Sequence, residues 1–217
     1  MKIVLGRTDW TDGTQGQSGN GKLVEFHPKY NEKEITYDFA VIKMDAPVIV
    51  NEEIYPICPP NNCFSDSEWD RSSYHRGMDG CKNGLVNGWA TASGGKLSLA
   101  MRYAVVNVGG KCPLRGNLNS KAKHEFCTII HSEDGTCSGD FGGPLTCLLP
   151  DGTYNLIGLT SWRTGCGPGD FVVFSRLPFI ILSFYHFVLF FQSLSCKGMD
   201  FQCGELIAGS TNSFNKF

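Results

Sequence analysis

Apolar residues in this chain come in short blocks, each cut off by turn-forming residues, and nowhere in the spacing of a long amphipathic helix. Residues 2–5 form one such block and predict a strand. Residues 11–22, rich in Gly, Ser, Asp and Gln, predict a loop. Residues 23–26 resume the strand pattern, and residues 39–44 and 47–50 are apolar runs that predict further strands. Residues 61–80 are polar and predict a linking loop. Beyond them, residues 86–90, 104–108, 154–162 and 171–176 predict four more strands, 154–162 alternating into a buried one. No fixed repeat period is present. The pattern is that of an all-β chain with many turns.

Composition agrees. The chain has 217 residues with 26 glycines, 41% hydrophobic and 18% charged residues, enough apolar surface for a core. A formal net charge of −2 with no charge run gives no footing for nucleic acid. Ten cysteines, with no Cys-x-x-Cys pair and no zinc-type Cys/His spacing, point to disulfides in an oxidising, extracellular compartment. Residues 1–6 have no signal-peptide character, so the expectation is that the sequence begins inside a longer protein. No cofactor motif is present.

Residues 177–196 contain no Asp, Glu, Lys or Arg. They approach the roughly 20 residues of a membrane span but are interrupted by Pro, His, Tyr and Ser. Three readings stay open: a docked, greasy terminal helix over 178–195, a membrane anchor through 177–195, or retained intron sequence.

Chemistry enters with Gly139-Asp140-Phe141-Gly142-Gly143-Pro144. It resembles the nucleophile loop of the chymotrypsin/trypsin family, Gly-Asp-Ser-Gly-Gly-Pro, with Phe141 in the serine's place. Other segments resemble the same family in the same order: His27-Pro28-Lys29-Tyr30, Tyr37-Asp38-Phe39-Ala40-Val41-Ile42-Lys43-Met44, Pro56-Ile57-Cys58-Pro59-Pro60, Val86-Asn87-Gly88-Trp89-Ala90 and Ser161-Trp162. The resemblance covers residues 1–177. It implies a chymotrypsin-like pair of β-barrels, the first incomplete at its N-terminus, followed by a C-terminal helix at 178–195 and a Cys-containing tail at 196–217.

The resemblance also assigns roles. Asp38 would be the remnant triad acid, and Ser161 the serine whose hydroxyl bonds it. Gly139 and Phe141 would supply oxyanion-hole N–H groups. Gly135 would be the primary specificity position, with Asp134 beside it, and Ser161, Trp162 and Arg163 would edge the substrate pocket. Asp140 would lack the newly cut N-terminal amine that pairs with it in the family, and so be exposed or repacked. Family disulfides imply Cys112–Cys127, Cys137–Cys166 and Cys81–Cys147, with Cys58 tied to an upstream segment. Cys196 to Cys203 resembles the start of a low-density-lipoprotein-receptor class A module, or else forms a local bridge.

A phenyl ring has no proton to lose and no lone pair to attack with. None of His27, His75, His124, His131 and His186 stands in the family's Ala-His-Cys context, and His27 fits an exposed His-Pro turn. The leading expectation is therefore a non-catalytic serine-protease homologue that binds a protein or peptide. The rivals are an active trypsin-like hydrolase whose sequence is truncated or altered, and a membrane-tethered interaction module.

Overall fold

The computed structural model describes residues 1–57, 81, 83–90, 97–108, 124–130, 139–148, 152, 154–177 and 206–209. Its strands are β1 (Lys2–Leu5), β2 (Gln17–Phe26), β3 (Ala40–Met44), β4 (Asn83–Gly88), β5 (Arg102–Asn107), β6 (Glu125–Ile129), β7 (Pro144–Leu148), β8 (Tyr154–Arg163), β9 (Phe171–Arg176) and β10 (Leu206–Gly209). They form two sheets, ordered β1-β2-β3-β10 and β5-β4-β7-β8-β9-β6. All pairings are antiparallel. The edge strands β5 and β6 of the larger sheet also touch, so that sheet curls toward closure.

The larger sheet wraps a core of Val86, Val106, Ile130, Leu145, Ile157, Val172 and Phe174, sealed by the buried cysteines Cys81 and Cys147. These two form a disulfide, with S–S 2.04 Å, as the resemblance implied. Phe126 and Phe174 stack at 5.4 Å within it. Cys127 and Cys166 are disulfide-bonded too. Their implied partners Cys112 and Cys137 lie outside the described residues, as do Cys58, Cys196 and Cys203. In the smaller sheet, Phe39, Ala40, Val41, Ile42 and Met44 are buried and only Lys43 of β3 is exposed.

The sequence pattern located β1, β3, β4, β5, β8 and β9, and differs from the structure elsewhere. β2 begins at Gln17, inside the predicted loop, because pairing with β1 and β3 overrides the weak local preference of Gly and Ser. Residues 47–50 form no strand. β6, β7 and β10 were not predicted. β7 starts at the proline of the Gly-Gly-Pro turn, and β10 comes from the tail. The predicted helix at 178–195 lies outside the described residues. Among the described residues, no helix is long and apolar enough to cross a membrane.

Candidate functional site

The two sheets meet at Asp38, the residue that precedes Phe39 and β3. Its side chain is fully buried. Oδ2 accepts a 2.6 Å hydrogen bond from the Ser161 hydroxyl, and its backbone oxygen accepts one of 2.9 Å from the Ser175 hydroxyl. A buried carboxylate needs such donors, because an unpaired charge is costly away from water. Ser161 can reach it because β8 is bulged there. The register passes from Thr160↔Phe174 to Trp162↔Val173, so Ser161 has no partner across the ladder. A bulge re-aims one side chain out of the alternation, and here residues 157–162 are all buried.

The same stretch of β8 holds the Gly-rich turn. Gly142 N–H donates to the Thr160 carbonyl at 2.7 Å, and Thr160 N–H donates to the Gly143 carbonyl at 2.9 Å. Gly139 and Gly142 adopt φ of 114° and 82°, in the left-handed half of backbone space that favours glycine. A Cβ on Gly143 would stand 2.8 Å from the Asp140 carbonyl oxygen, so close packing excludes a side chain there.

Asp140 is buried rather than exposed, and its Oδ1 accepts a 2.9 Å hydrogen bond from Ala90 N–H. Its carboxylate packs against the Gly88 Cα, where any Cβ would collide with it. Phe141 is half-buried, and the Arg163 guanidinium lies 5.2 Å from its ring centre. Burial pulls the Arg163 pKa down, while Asp140 and Asp170 oppose that pull. Asp170 is itself fixed, accepting from the Thr164 hydroxyl and from Gly167 N–H at 3.0 Å each. Trp162 is buried with Cys127 and Val173, and the partly buried Ile35 packs against them. Gly135 lies outside the described residues.

Sequence reasoning missed a second cluster at Asp38. His27 is buried, not exposed in a His-Pro turn, since only 3% of it reaches solvent. Its Nδ1 accepts from Lys29 N–H at 3.1 Å. The Tyr37 ring lies between the His27 ring at 4.7 Å and the His124 ring at 4.0 Å, both stacked. This sandwich joins the turn after β2 to the start of β6. Burial, with Lys29 and His124 nearby, lowers the His27 pKa to about 4. Burial and Lys29 lower that of His124 as well. Burial, with the Asp38 carboxylate close by, raises Glu125 to about 7. Ile35 and Tyr37 take φ of 51° and 53°, in the left-handed region unusual for such side chains. The available signal was the apolar–polar mixture of residues 35–39, but nothing local to 124–125 pairs it with residue 37.

Two antiparallel sheets clasping a buried carboxylate–serine pair, with a glycine-rich turn held on the same strand, define a protein of the chymotrypsin-like β class. The trypsin family model matches residues 1–180, and the chain belongs to the trypsin family. It is similar to transmembrane protease serine 9 of Rattus norvegicus, 28% identical over 178 residues, covering 80% of this chain and 16% of the relative. It is similar to serine proteinase stubble of Drosophila melanogaster, 30% identical over 152 residues, covering 66% and 18%. Vitamin K-dependent protein C of Felis catus is 26% identical over 151 residues, covering 67% of this chain and 90% of the relative. The chain thus spans under a fifth of the first two relatives.

Proposed function

We propose that this trypsin-family chain does not hydrolyse peptide bonds and acts by binding a protein or peptide, in an extracellular setting. The observation that carries the reading is Phe141. Acyl transfer needs an atom that loses a proton and attacks a carbonyl carbon, and a phenyl ring offers none. Its half-buried ring, flanked by the Arg163 guanidinium at 5.2 Å, supports a second argument. On this reading, ring and cation would crowd the place beside the turn where a substrate carbonyl would have to settle. The turn's hydrogen bonds to Thr160 and the Asp140 contact with Ala90 do not involve the side chain at 141. The architecture is therefore compatible with a binding surface that has lost its chemistry. The disulfide-bonded cysteines support an oxidising compartment.

The rival reading is a trypsin-like hydrolase, and the Asp38–Ser161 hydrogen bond, kept as catalysis would require, is the observation in its favour. The two part on one experiment. A fluorophosphonate probe forms a bond to an activated serine oxygen. Incubation with the purified oxidised chain is expected to leave it unlabelled by intact-mass spectrometry. Stoichiometric labelling would establish the hydrolase reading instead.

A further inference from the structure

An antiparallel sheet with one face on a core is expected to turn polar side chains outward on the other. The inward positions of β4, β5, β7 and β8 obey the rule, with Val86, Val106, Leu145 and Ile157 buried in the core. The outward positions do not. The register sets Val105, Leu85, Thr146 and Leu156 side by side across the four strands. One step along, Asn107 faces Asn83 and Leu148 faces Tyr154. One step the other way, Tyr103 faces Asn87. The Asn87 amide reaches the Met101 sulfur at 3.5 Å, which brings that side chain onto the same face. None of these outward positions carries a charge. Tyr103, Val105, Leu148 and Tyr154 are between 46% and 73% exposed. A bare apolar face of this extent marks a contact surface.

Its chemistry selects the occupant. Without a charge, the face offers nothing to steer a charged partner. An extended peptide adds to the edge of a sheet and does not cover its face. Lipid would leave the asparagine amides without hydrogen-bond partners, which is costly. An identical face suits it. Asn and Tyr side chains each donate and accept, so two copies satisfy one another, whereas a charged surface would meet its like. The size agrees. Four strands, with two or three outward positions on each, span about 20 Å each way. Protruding side chains expose more than that projection, so sealing two such faces removes on the order of 1,000 Å² from water, the scale of weak, transient interfaces.

We propose that the outward face of β4, β5, β7 and β8 docks a second copy of this chain, forming a two-fold dimer. The pairing is weak and depends on concentration. It makes no use of Phe141, so it stands or falls separately from the reading of the Gly-rich turn.

The test is sedimentation velocity of the purified, oxidised chain over a concentration series. A reversible monomer–dimer equilibrium is expected. Val105→Lys sets a cation in the face, where docking would strip it of water, and should weaken association roughly tenfold or more. Tyr103→Lys should do the same. Tyr55→Lys puts the same charge on an exposed aromatic outside these strands and should leave the equilibrium unchanged. Near-UV circular dichroism checks the packing of each variant, and should Val105→Lys lose it, Tyr103→Lys, the more exposed position, is read in its place. A chain that stays monomeric throughout the series overturns the proposal. So does a dimer that ignores both face variants or yields equally to Tyr55→Lys. Open-ended polymers overturn the two-fold arrangement. A monomer that floats with neutral phosphatidylcholine vesicles, and ceases to in Val105→Lys, assigns the face to lipid and overturns the dimer.

Discussion

At Asp38 one hydroxyl helps to satisfy a fully buried carboxyl group. Ser161 donates to Oδ2 at 2.6 Å, and Ser161→Ala would remove that donor in a site with no exposure. Hydrogen bonds to charged groups contribute about 2 kcal/mol, so the variant should lose about that much stability in a urea melt. Protonation acts on the same cluster with two opposite signs. Glu125 has its pKa raised from 4.5 to about 7 in the folded chain, so the fold holds its proton more tightly than the unfolded chain does. Its contribution is complete below pH 4.5 and is lost as pH rises to about 7. Glu125→Gln should therefore gain on the parent progressively across that window, read as the difference between melting curves. His27 runs the other way. Its pKa falls from 6.5 to about 4, so stability is lost as pH falls through that interval. An imidazole proton resonance for His27 should titrate with a midpoint near 4 rather than 6.5. At Phe141 the residue scale is decisive for chemistry, since no neighbour can lend a phenyl ring a nucleophilic atom.

Elements place these residues. β8 does two tasks with adjacent positions: the Thr160 backbone holds the Gly142–Gly143 turn, and the bulged Ser161 side chain holds Asp38. β4 contributes by what it lacks. Gly88 ends the strand against the Asp140 carboxylate, and Gly88→Ala would drive a methyl group into it. Overpacking of this kind costs about 1–3 kcal/mol. The variant should melt earlier than the parent and lose the protection of the Ala90 amide, which donates to Asp140. Much at this scale was legible in the chain. The apolar run at 39–44 announced β3, and 171–176 announced β9 within its true bounds. β6 escaped because Glu125-Phe126-Cys127-Thr128-Ile129 starts with a carboxylate whose burial depends on β9 beside it. β10 escaped because Leu-Ile-Ala-Gly is too short to signal a strand until β3 offers it an edge.

Across the whole molecule, covalent and non-covalent ties share the load. Cys81–Cys147 spans a sequence separation of 66, for which loop-closure entropy predicts about 4 kcal/mol of stabilisation. Replacing both cysteines by alanine should lower the unfolding free energy by about that amount while the Asp38–Ser161 contact remains. The family and the two-sheet architecture were readable from spaced motifs, because a Gly-rich turn, an aspartate before a buried strand and a Ser-Trp pair each have steric or electrostatic needs that few other residues meet. That the phenyl ring of Phe141 offers no nucleophilic atom was likewise legible in the sequence alone, since side-chain chemistry travels with the residue. Burial and partnership did not travel with it. His27 looked like a solvated turn residue and is enclosed, because Tyr37 and His124 arrive from other parts of the chain to cover it. Asp140 could have faced water or turned inward, and Ala90 N–H and Gly88 decided it. The last strand of the smaller sheet came from the far end of the chain. Local propensity reports only what neighbours in sequence prefer, while desolvation and ladder pairing depend on what the fold brings alongside.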